Sequence, residues 1–480
     1  MIDKTRFSWR IAARFSALAL GLLSLGALAA TPEAPAAPTT TGAANPSELV
    51  QRGKYLAIAG DCVACHTAPG GKSMAGGLAL PTPIGAIVAT NITPSRTHGI
   101  GHYTEQQFRD ALRQGIRADG QHLYPAMPYT SYAKVSDKDA QAMYAYFMQG
   151  VAPVDAAPAQ ATALPFPFNL RLSMAAWNLL FLDSKPFSAD ASKSVEWNRG
   201  AYLTRGLGHC SACHSPRNSL MAEDSRRELG GGYVGSWFAP NITSDANSGV
   251  GGWSVQEIAV YMRLGRVANK AQAAGPMAEA VDHCLKHLTP EDLRAIAVYV
   301  KNVPALPDAA DTKPAHGWGS ASNDLGSVRG VAWPKDRDQL SGAQLYDAHC
   351  ATCHQASGQG SFDGALPPLF HNTAVGRSNS NNLVMVLLDG VERVGETPEV
   401  KMQGFRDVMS DVQIATLASY LTQQYGNPDV KVTAGQVKAL RAGGATSSLL
   451  WLARSGLIVG LLVILAGLAW MLRRSSQQRG

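Results

Sequence analysis

Cysteine and histidine recur in this chain at a spacing that could hold an iron porphyrin. Cys62-Val63-Ala64-Cys65-His66 returns as Cys210-Ser211-Ala212-Cys213-His214 and again as Cys350-Ala351-Thr352-Cys353-His354. Two cysteines three apart lie on one side of a helical turn, where each can form a thioether to the same macrocycle. The histidine that follows offers its imidazole to the iron. Each copy reads as a c-type haem attachment site, so three covalently bound haem c groups are expected. A lone Cys-x-x-Cys could instead be a redox disulfide or half a zinc site. Repetition in register, with histidine always directly after the second cysteine, argues against both.

An electron-transfer haem takes a second axial ligand, and a methionine thioether raises the potential and keeps substrates off the iron. The first candidate is Met127, in Tyr124-Pro125-Ala126-Met127-Pro128-Tyr129, where two prolines stiffen the loop. Met277, in Gly275-Pro276-Met277, stands at nearly the same offset from its cysteines. Met402, in Lys401-Met402-Gln403-Gly404-Phe405, is the third, with Met385 and Met409 as nearby competitors. Most methionines are core filler, but three in equivalent loops just before a closing helix point to ligation.

The elements that must position these groups repeat as well. Ser47-Glu48-Leu49-Val50 with Tyr55-Leu56 begins a helix that feeds into Cys62, and Ser136-Asp137-Lys138-Asp139 caps a closing helix carrying Met143, Tyr146 and Phe147. Trp197-Asn198-Arg199-Gly200-Ala201-Tyr202-Leu203 matches Gln51-Arg52-Gly53-Lys54-Tyr55-Leu56, and Thr289-Pro290-Glu291-Asp292 opens a second closing helix. Ser341-Gly342 and Tyr346 precede the third motif, and Ser410-Asp411 leads to Leu417, Tyr420 and Leu421. Each opening helix has an early glycine and each closing helix a late aromatic, the pattern of two helices crossing closely. Asn91-Ile92-Thr93 and Asn241-Ile242-Thr243 could each mark N-glycosylation, but their recurrence in register with the first two motifs favours a structural loop, expected beside the haem propionates, to which Asn and Thr can donate.

A chain of 480 residues should hold several domains. Seven cysteines are too few for a disulfide scaffold, and the seventh, Cys284, is expected to be a small buried hydrophobe. The net charge of +6 comes partly from the two ends, and no basic stripe with interleaved aromatics suggests nucleic acid. Lys4, Arg6, Arg10 and Arg14, an apolar run and Ala27-Leu28-Ala29 form a secretory signal over 1–29, consistent with haem attachment outside the bacterial cytoplasm. A Pro/Ala/Thr-rich leader over 30–46 follows. The apolar island Met174 to Leu182 in the 151–195 linker is too short for a span and reads as a helix packed between modules, with a docking surface as the alternative.

These motifs are similar to those of the three-haem cytochrome c subunits of membrane-bound bacterial dehydrogenases for alcohols, sugars and sugar acids. The resemblance rests on Gly60 to Ala68, Thr90 to Pro94, Leu123 to Tyr129, Met143 to Met148, Ala274 to Ala280 and Cys350 to Gln355. It implies an all-α fold of three tandem class I cytochrome c domains, placed at 47–150, 196–305 and 338–426, with linkers at 306–337 and 427–448 beside the 151–195 linker. It also implies axial pairs His66 with Met127, His214 with Met277 and His354 with Met402, although Gln403 stands where the third loop usually has proline. The implied partners are a catalytic dehydrogenase subunit bearing FAD or pyrroloquinoline quinone, a small third subunit, and ubiquinone in the cytoplasmic membrane. Ala274 to Ala280 and Trp197 to Gly200 favour the FAD-dependent sugar, polyol or gluconate enzymes. A multihaem peroxidase or a terminal-oxidase subunit is the competing class.

Ser455 to Leu472 is an uncharged, mostly apolar run reaching about 27 Å as a helix, close to the hydrocarbon thickness of a bilayer. Trp451 and Trp470 lie near its ends, and Arg473, Arg474 and Arg479 follow. A transmembrane anchor over 449–472 with a cytoplasmic tail over 473–480 leaves the haem modules in the periplasm.

Overall fold

The computed structural model describes residues 46–362, 366–393, 400–444 and 449–477. The expected signal peptide, nearly all of the leader and the last three tail residues lie outside them. Each cysteine motif follows a helix that is locked against a later one. Pro46–Ala59 leads into Cys62–His66 and is crossed by Asp137–Gln149. Val195–Tyr202 continues through a π-helical turn, Leu203–Leu207, towards Ser211–His214 and is crossed by Pro290–Val300. Gly342–His349 leads into Ala351–His354 and is crossed by Asp411–Tyr425.

Glycine sets how close these crossings are. A Cβ on Gly53 would overlap the Ala142 carbonyl oxygen, one on Gly200 the Ala295 carbonyl oxygen, and one on Gly342 the Tyr420 side chain. The closing helices begin where their caps dictate: Ser136 Oγ accepts from the Asp139 N–H, Thr289 Oγ1 from that of Asp292, and Ser410 Oγ from that of Gln413.

Helices dominate, as expected, and short strands stand beside them. Among the described residues there are four two-stranded antiparallel hairpins, pairing Ala79–Thr82 with Gly85–Val88, Gly232–Val234 with Trp237–Ala239, Arg266–Val267 with Ala271–Gln272, and Val391–Arg393 with Val400–Met402. Strands of two to four residues leave too little alternation to register as a period in sequence.

One continuous apolar cluster joins Leu56 and Phe147 of the first segment to Leu203 and Ile296 of the second, whereas Leu345, Leu387 and Leu417 belong to a separate core around the third. Two reciprocal contacts clasp the first pair. Arg52 grips Asp139, which also accepts from Tyr202 Oη at 2.6 Å; Arg199 grips Asp292, which accepts from Tyr55 Oη at 2.6 Å. Cys284 is buried at this junction, its Sγ 3.6 Å from the Ala59 carbonyl, as a small hydrophobe should be.

The two Asn-Ile-Thr stretches are structural loops, as the sequence reading favours, and their polar groups tie the chain to itself. Asn91 Nδ2 donates to the Val154 and Ala156 carbonyls at 2.8 and 3.1 Å, and its Oδ1 accepts from the Thr93 N–H and hydroxyl. Asn241 likewise donates to the Leu306 carbonyl at 2.6 Å and accepts from Thr243. Their amide donors are directed to backbone carbonyls of the chain that follows each closing helix.

The linker island does form a helix, Ser173–Phe181, but none of its residues is buried, and Leu179 and Leu180 are 87% and 68% exposed. Polar atoms fasten it: Asn178 accepts from Tyr129 Oη and donates to the Gln114 carbonyl, and Trp177 Nε1 donates to the Leu220 carbonyl. At the far end Leu449–Gln477 is one helix, of which Leu449–Met471 is apolar and unburied.

Asn91→Ala or Asn241→Ala strands buried groups, so each should lower unfolding stability by about 1–3 kcal/mol, read as a reduced thermal midpoint of the haem-loaded protein. An unchanged midpoint would mean that these loops are not the ties described.

Candidate haem centres

The motif helices are entered by a turn. Asp61 and His209 adopt positive φ values of 50° and 34°, redirecting the chain from the opening helix so that the cysteines start a new one. All seven cysteines are unbridged. Burial pushes the Cys62, Cys210 and Cys350 thiols up to about 12 and the Cys65 thiol to about 11. That is the opposite of the lowered pKa that marks a reactive redox cysteine.

Each motif histidine is oriented by a backbone carbonyl. His66 Nδ1 lies 2.6 Å from the Thr90 oxygen, His214 Nδ1 2.6 Å from that of Pro240, and His354 Nδ1 3.2 Å from that of Pro367. With Nδ1–H donating to a carbonyl, the Nε2 lone pair is left for a metal. Burial lowers all three imidazole pKa values, which the carbonyl contacts only partly offset, so the neutral ligating form is favoured. Paired free thiols plus an oriented neutral imidazole fit a covalently attached haem at each motif.

Thr90 and Pro240 immediately precede Asn91 and Asn241, so the buried Asn-Ile-Thr ties also fix the histidine-orienting carbonyls. Sequence reasoning missed this role. The signal was present in the register of the two triplets with the two motifs.

The methionines are not in equivalent loops as expected. Met127 lies in a turn between Pro125 and Pro128, Met277 in the helix Gly275–His283, and Met402 at the end of the strand Val400–Met402. Gly275, at φ 51°, starts its helix against the Trp237 ring, which leaves no room for a Cβ. The three methionines still share a half-buried setting against the apolar clusters. Met385 and Met409 are buried inside the third core, the setting of filler.

The first two centres adjoin. Tyr132 Oη donates to the Gly60 carbonyl at 2.7 Å, while its ring meets the His209 ring edge-on at 5.6 Å. Cys213 adds to the upward shift of the Cys65 thiol across the junction. Beside them burial, with Glu279 adding, pushes the Asp61 carboxyl up to about 8, and Asp61 Oδ1 is buried without a hydrogen-bond partner.

A cytochrome c family model matches residues 50–150 and 340–424. The chain is 43% identical over 463 residues to the fructose dehydrogenase cytochrome subunit of Gluconobacter japonicus, spanning 92% of this chain and 94% of that one. It is 38% identical over 455 residues to the cytochrome c subunit of the quinone alcohol dehydrogenase of Gluconacetobacter polyoxogenes, 92% of each chain. It is also 38% identical over 439 residues to the gluconate 2-dehydrogenase cytochrome c subunit of Pantoea cypripedii, 88% of this chain and 94% of that one. With cysteine pairs and oriented histidines in helix-crossed segments, and with relatives matched over nearly their whole length, the chain belongs to the cytochrome c subunits of membrane-bound dehydrogenases, whose role is electron transfer.

Proposed function

We propose that the chain is a three-haem relay built of three tandem class I cytochrome c domains, carrying electrons from a catalytic dehydrogenase subunit to ubiquinone. The observation that carries this reading is the triple recurrence of one arrangement, a Cys-x-x-Cys-His turn whose histidine Nδ1 faces a backbone carbonyl. Each haem would supply reversible one-electron transfer. Cys62 with Cys65, Cys210 with Cys213, and Cys350 with Cys353 hold the three groups in place. His66, His214 and His354 would hold the iron through Nε2, and Met127, Met277 and Met402 would supply a thioether ligand. A thioether in the sixth position leaves no site for peroxide, which separates this reading from a multihaem peroxidase.

The partner is proposed to be an FAD-bearing sugar, polyol or gluconate dehydrogenase with a small third subunit. Higher identity to the fructose dehydrogenase subunit than to the quinone alcohol dehydrogenase subunit supports that choice. Purification of the complex from native membranes tests it: a flavoprotein is expected, and a pyrroloquinoline quinone protein or a copper oxidase in its place would overturn the assignment. The C-terminal helix is proposed to anchor the haem segments on the periplasmic face. A basic run after the helix and a secretory signal before the first segment support that orientation.

Mass spectrometry of the denatured protein should find three covalent haems and one alkylatable thiol, Cys284. Met127→Ala and Met277→Ala should keep every haem attached while lowering one midpoint potential each, because attachment uses the cysteines and potential the thioether. Titrations with all three midpoints unmoved would refute these ligands. Truncation before Leu449 should release a protein that still accepts electrons from its dehydrogenase but reduces membrane quinone poorly. A truncated chain that stayed in the membrane after a high-salt wash, without its partners, would show that the tail is not the main anchor.

A further inference from the structure

Between Leu164 and Leu182 the linker after the first segment carries a single ionisable side chain, Arg171. It is turned onto the first segment: its guanidinium lies 4.7 Å over the Tyr124 ring, and Nη1 donates to the His122 carbonyl at 3.0 Å. The polar groups of the helix Ser173–Phe181 are engaged as well. Ser173 Oγ donates to the Leu170 carbonyl at 2.6 Å, Asn178 is held between Tyr129 Oη and the Gln114 carbonyl, and Trp177 Nε1 donates to the Leu220 carbonyl. Trp177 also meets Tyr129 edge-on at 6.4 Å. What remains is aliphatic and faces outward. Leu172, Ala176, Leu179 and Leu180 share one face at helical spacing, and all are exposed, Leu172 by 79%. Phe166 and Leu170, in the turns before the helix, are each more than half exposed. A helix that is apolar on every side belongs in a protein core or in lipid, and no residue of this one is in a core.

The position of the linker distinguishes the two. Arg454 Nε donates to the Phe166 carbonyl at 3.2 Å. Arg454 lies in the second turn of Leu449–Gln477, so Phe166 stands beside the beginning of its apolar length. From there the chain advances in short turns, with the Phe168 N–H on the Pro165 carbonyl, that of Leu170 on Pro167 and that of Met174 on Arg171. The exposed leucines therefore start within a few residues of the contact. Where the C-terminal helix enters a bilayer, this is the level at which arginine reaches headgroups and apolar side chains meet acyl chains.

We propose that Phe166, Leu170, Leu172, Leu179 and Leu180 lie in the outer boundary of the phospholipid bilayer, as a second membrane contact beside the C-terminal helix. This rests on the reading of that helix as the anchor. Lipid fits the face better than the catalytic subunit does, because protein contacts are specified by hydrogen bonds and these five side chains offer none. Acyl chains require none. So few side chains adsorb only weakly and reversibly by themselves, which agrees with release of a chain truncated before Leu449. Beside a spanning helix the same contact becomes intramolecular, and limits how far the first segment can pivot on the membrane.

The test uses the wild-type chain in its complex, reconstituted into phosphatidylcholine liposomes that contain a phospholipid with a photoactivatable diazirine in its acyl chain. Mass spectrometry after irradiation locates the adducts. They are expected on 166–182 and on the C-terminal helix. Equal labelling of the exposed Val195 and Tyr233 would show that adducts follow exposure alone, and would overturn the proposal. Leu172→Glu combined with Leu179→Glu should retain three haems and lower the linker adducts about tenfold or more, with those on the C-terminal helix unchanged. A labelled C-terminal helix with an unlabelled linker would overturn this proposal alone. An unlabelled C-terminal helix would overturn the anchor reading, and this proposal with it. A linker labelled only after the catalytic subunit is dissociated would assign the face to that subunit and likewise overturn it.

Discussion

The close crossing of each opening helix over its closing helix is the contact from which the haem geometry follows. In the first segment the sequence of dependence can be traced atom by atom. Gly53 lets Pro46–Ala59 rest on the backbone at Ala142, which fixes where Asp137–Gln149 ends and where Val154 and Ala156 emerge. Their carbonyls hold Asn91, Asn91 holds the position of the Thr90 carbonyl, and that carbonyl faces His66 Nδ1. The opening helix meanwhile delivers Cys62 and Cys65 directly. A methyl group at Gly53 would therefore disturb the ligand from both directions, through the motif and through the carbonyl that orients its histidine. The second segment repeats the circuit through Gly200, Leu306, Asn241 and Pro240. The third replaces it with a direct approach of Pro367 to His354, at the longer distance of 3.2 Å.

A second constraint is that the first and second segments do not have separate interiors. Leu207 and Gly60 are in contact, Tyr132 of the first segment meets both Gly60 and His209, and the two Arg-Asp pairs exchange tyrosine donors across the junction. A buried carboxylate such as Asp139 is tolerable because it accepts from both a guanidinium and a phenol, and removal of either partner would leave charge uncompensated. The price of joining two centres in this way is rigidity: neither segment can move far without exposing the shared apolar cluster. For electron transfer that rigidity holds two attachment sites at a fixed separation.

How much of this was legible in the sequence depended on whether the signal was local. Motif cysteines, their histidines, the caps Ser136, Thr289 and Ser410 and the crossing glycines are each specified within a few residues, and the structure places the caps and the glycines in the roles expected of them. The short hairpins were missed because two to four residues carry no usable period. The Asn-Ile-Thr stretches were recognised as structural loops, but what they tie to was not. Their partners, Val154 and Leu306, lie more than sixty residues on, and a carbonyl acceptor has no sequence signature. The clasp of Tyr55 on Asp292 spans 237 positions and was invisible for the same reason. Met277 kept its setting but not its expected loop, because Gly275 against Trp237 starts a helix where the first segment has a proline-flanked turn.

Spatial order also departs from chain order at the membrane end. The C-terminal helix follows the third segment in sequence, yet Arg454 in its second turn donates from Nε to the Phe166 carbonyl, in the linker that follows the first segment. The apolar length that begins at Leu449 spans 23 residues, about 35 Å of helix, with none of it covered by protein. A helix of that length and apolar exposure is long and apolar enough to cross a membrane, and its Arg454 contact ties it to the linker beside it. Exposed Leu179 and Leu180 belong to that same linker. Order along the chain therefore does not decide which segment lies beside the C-terminal helix, since the linker after the first segment is in contact with it.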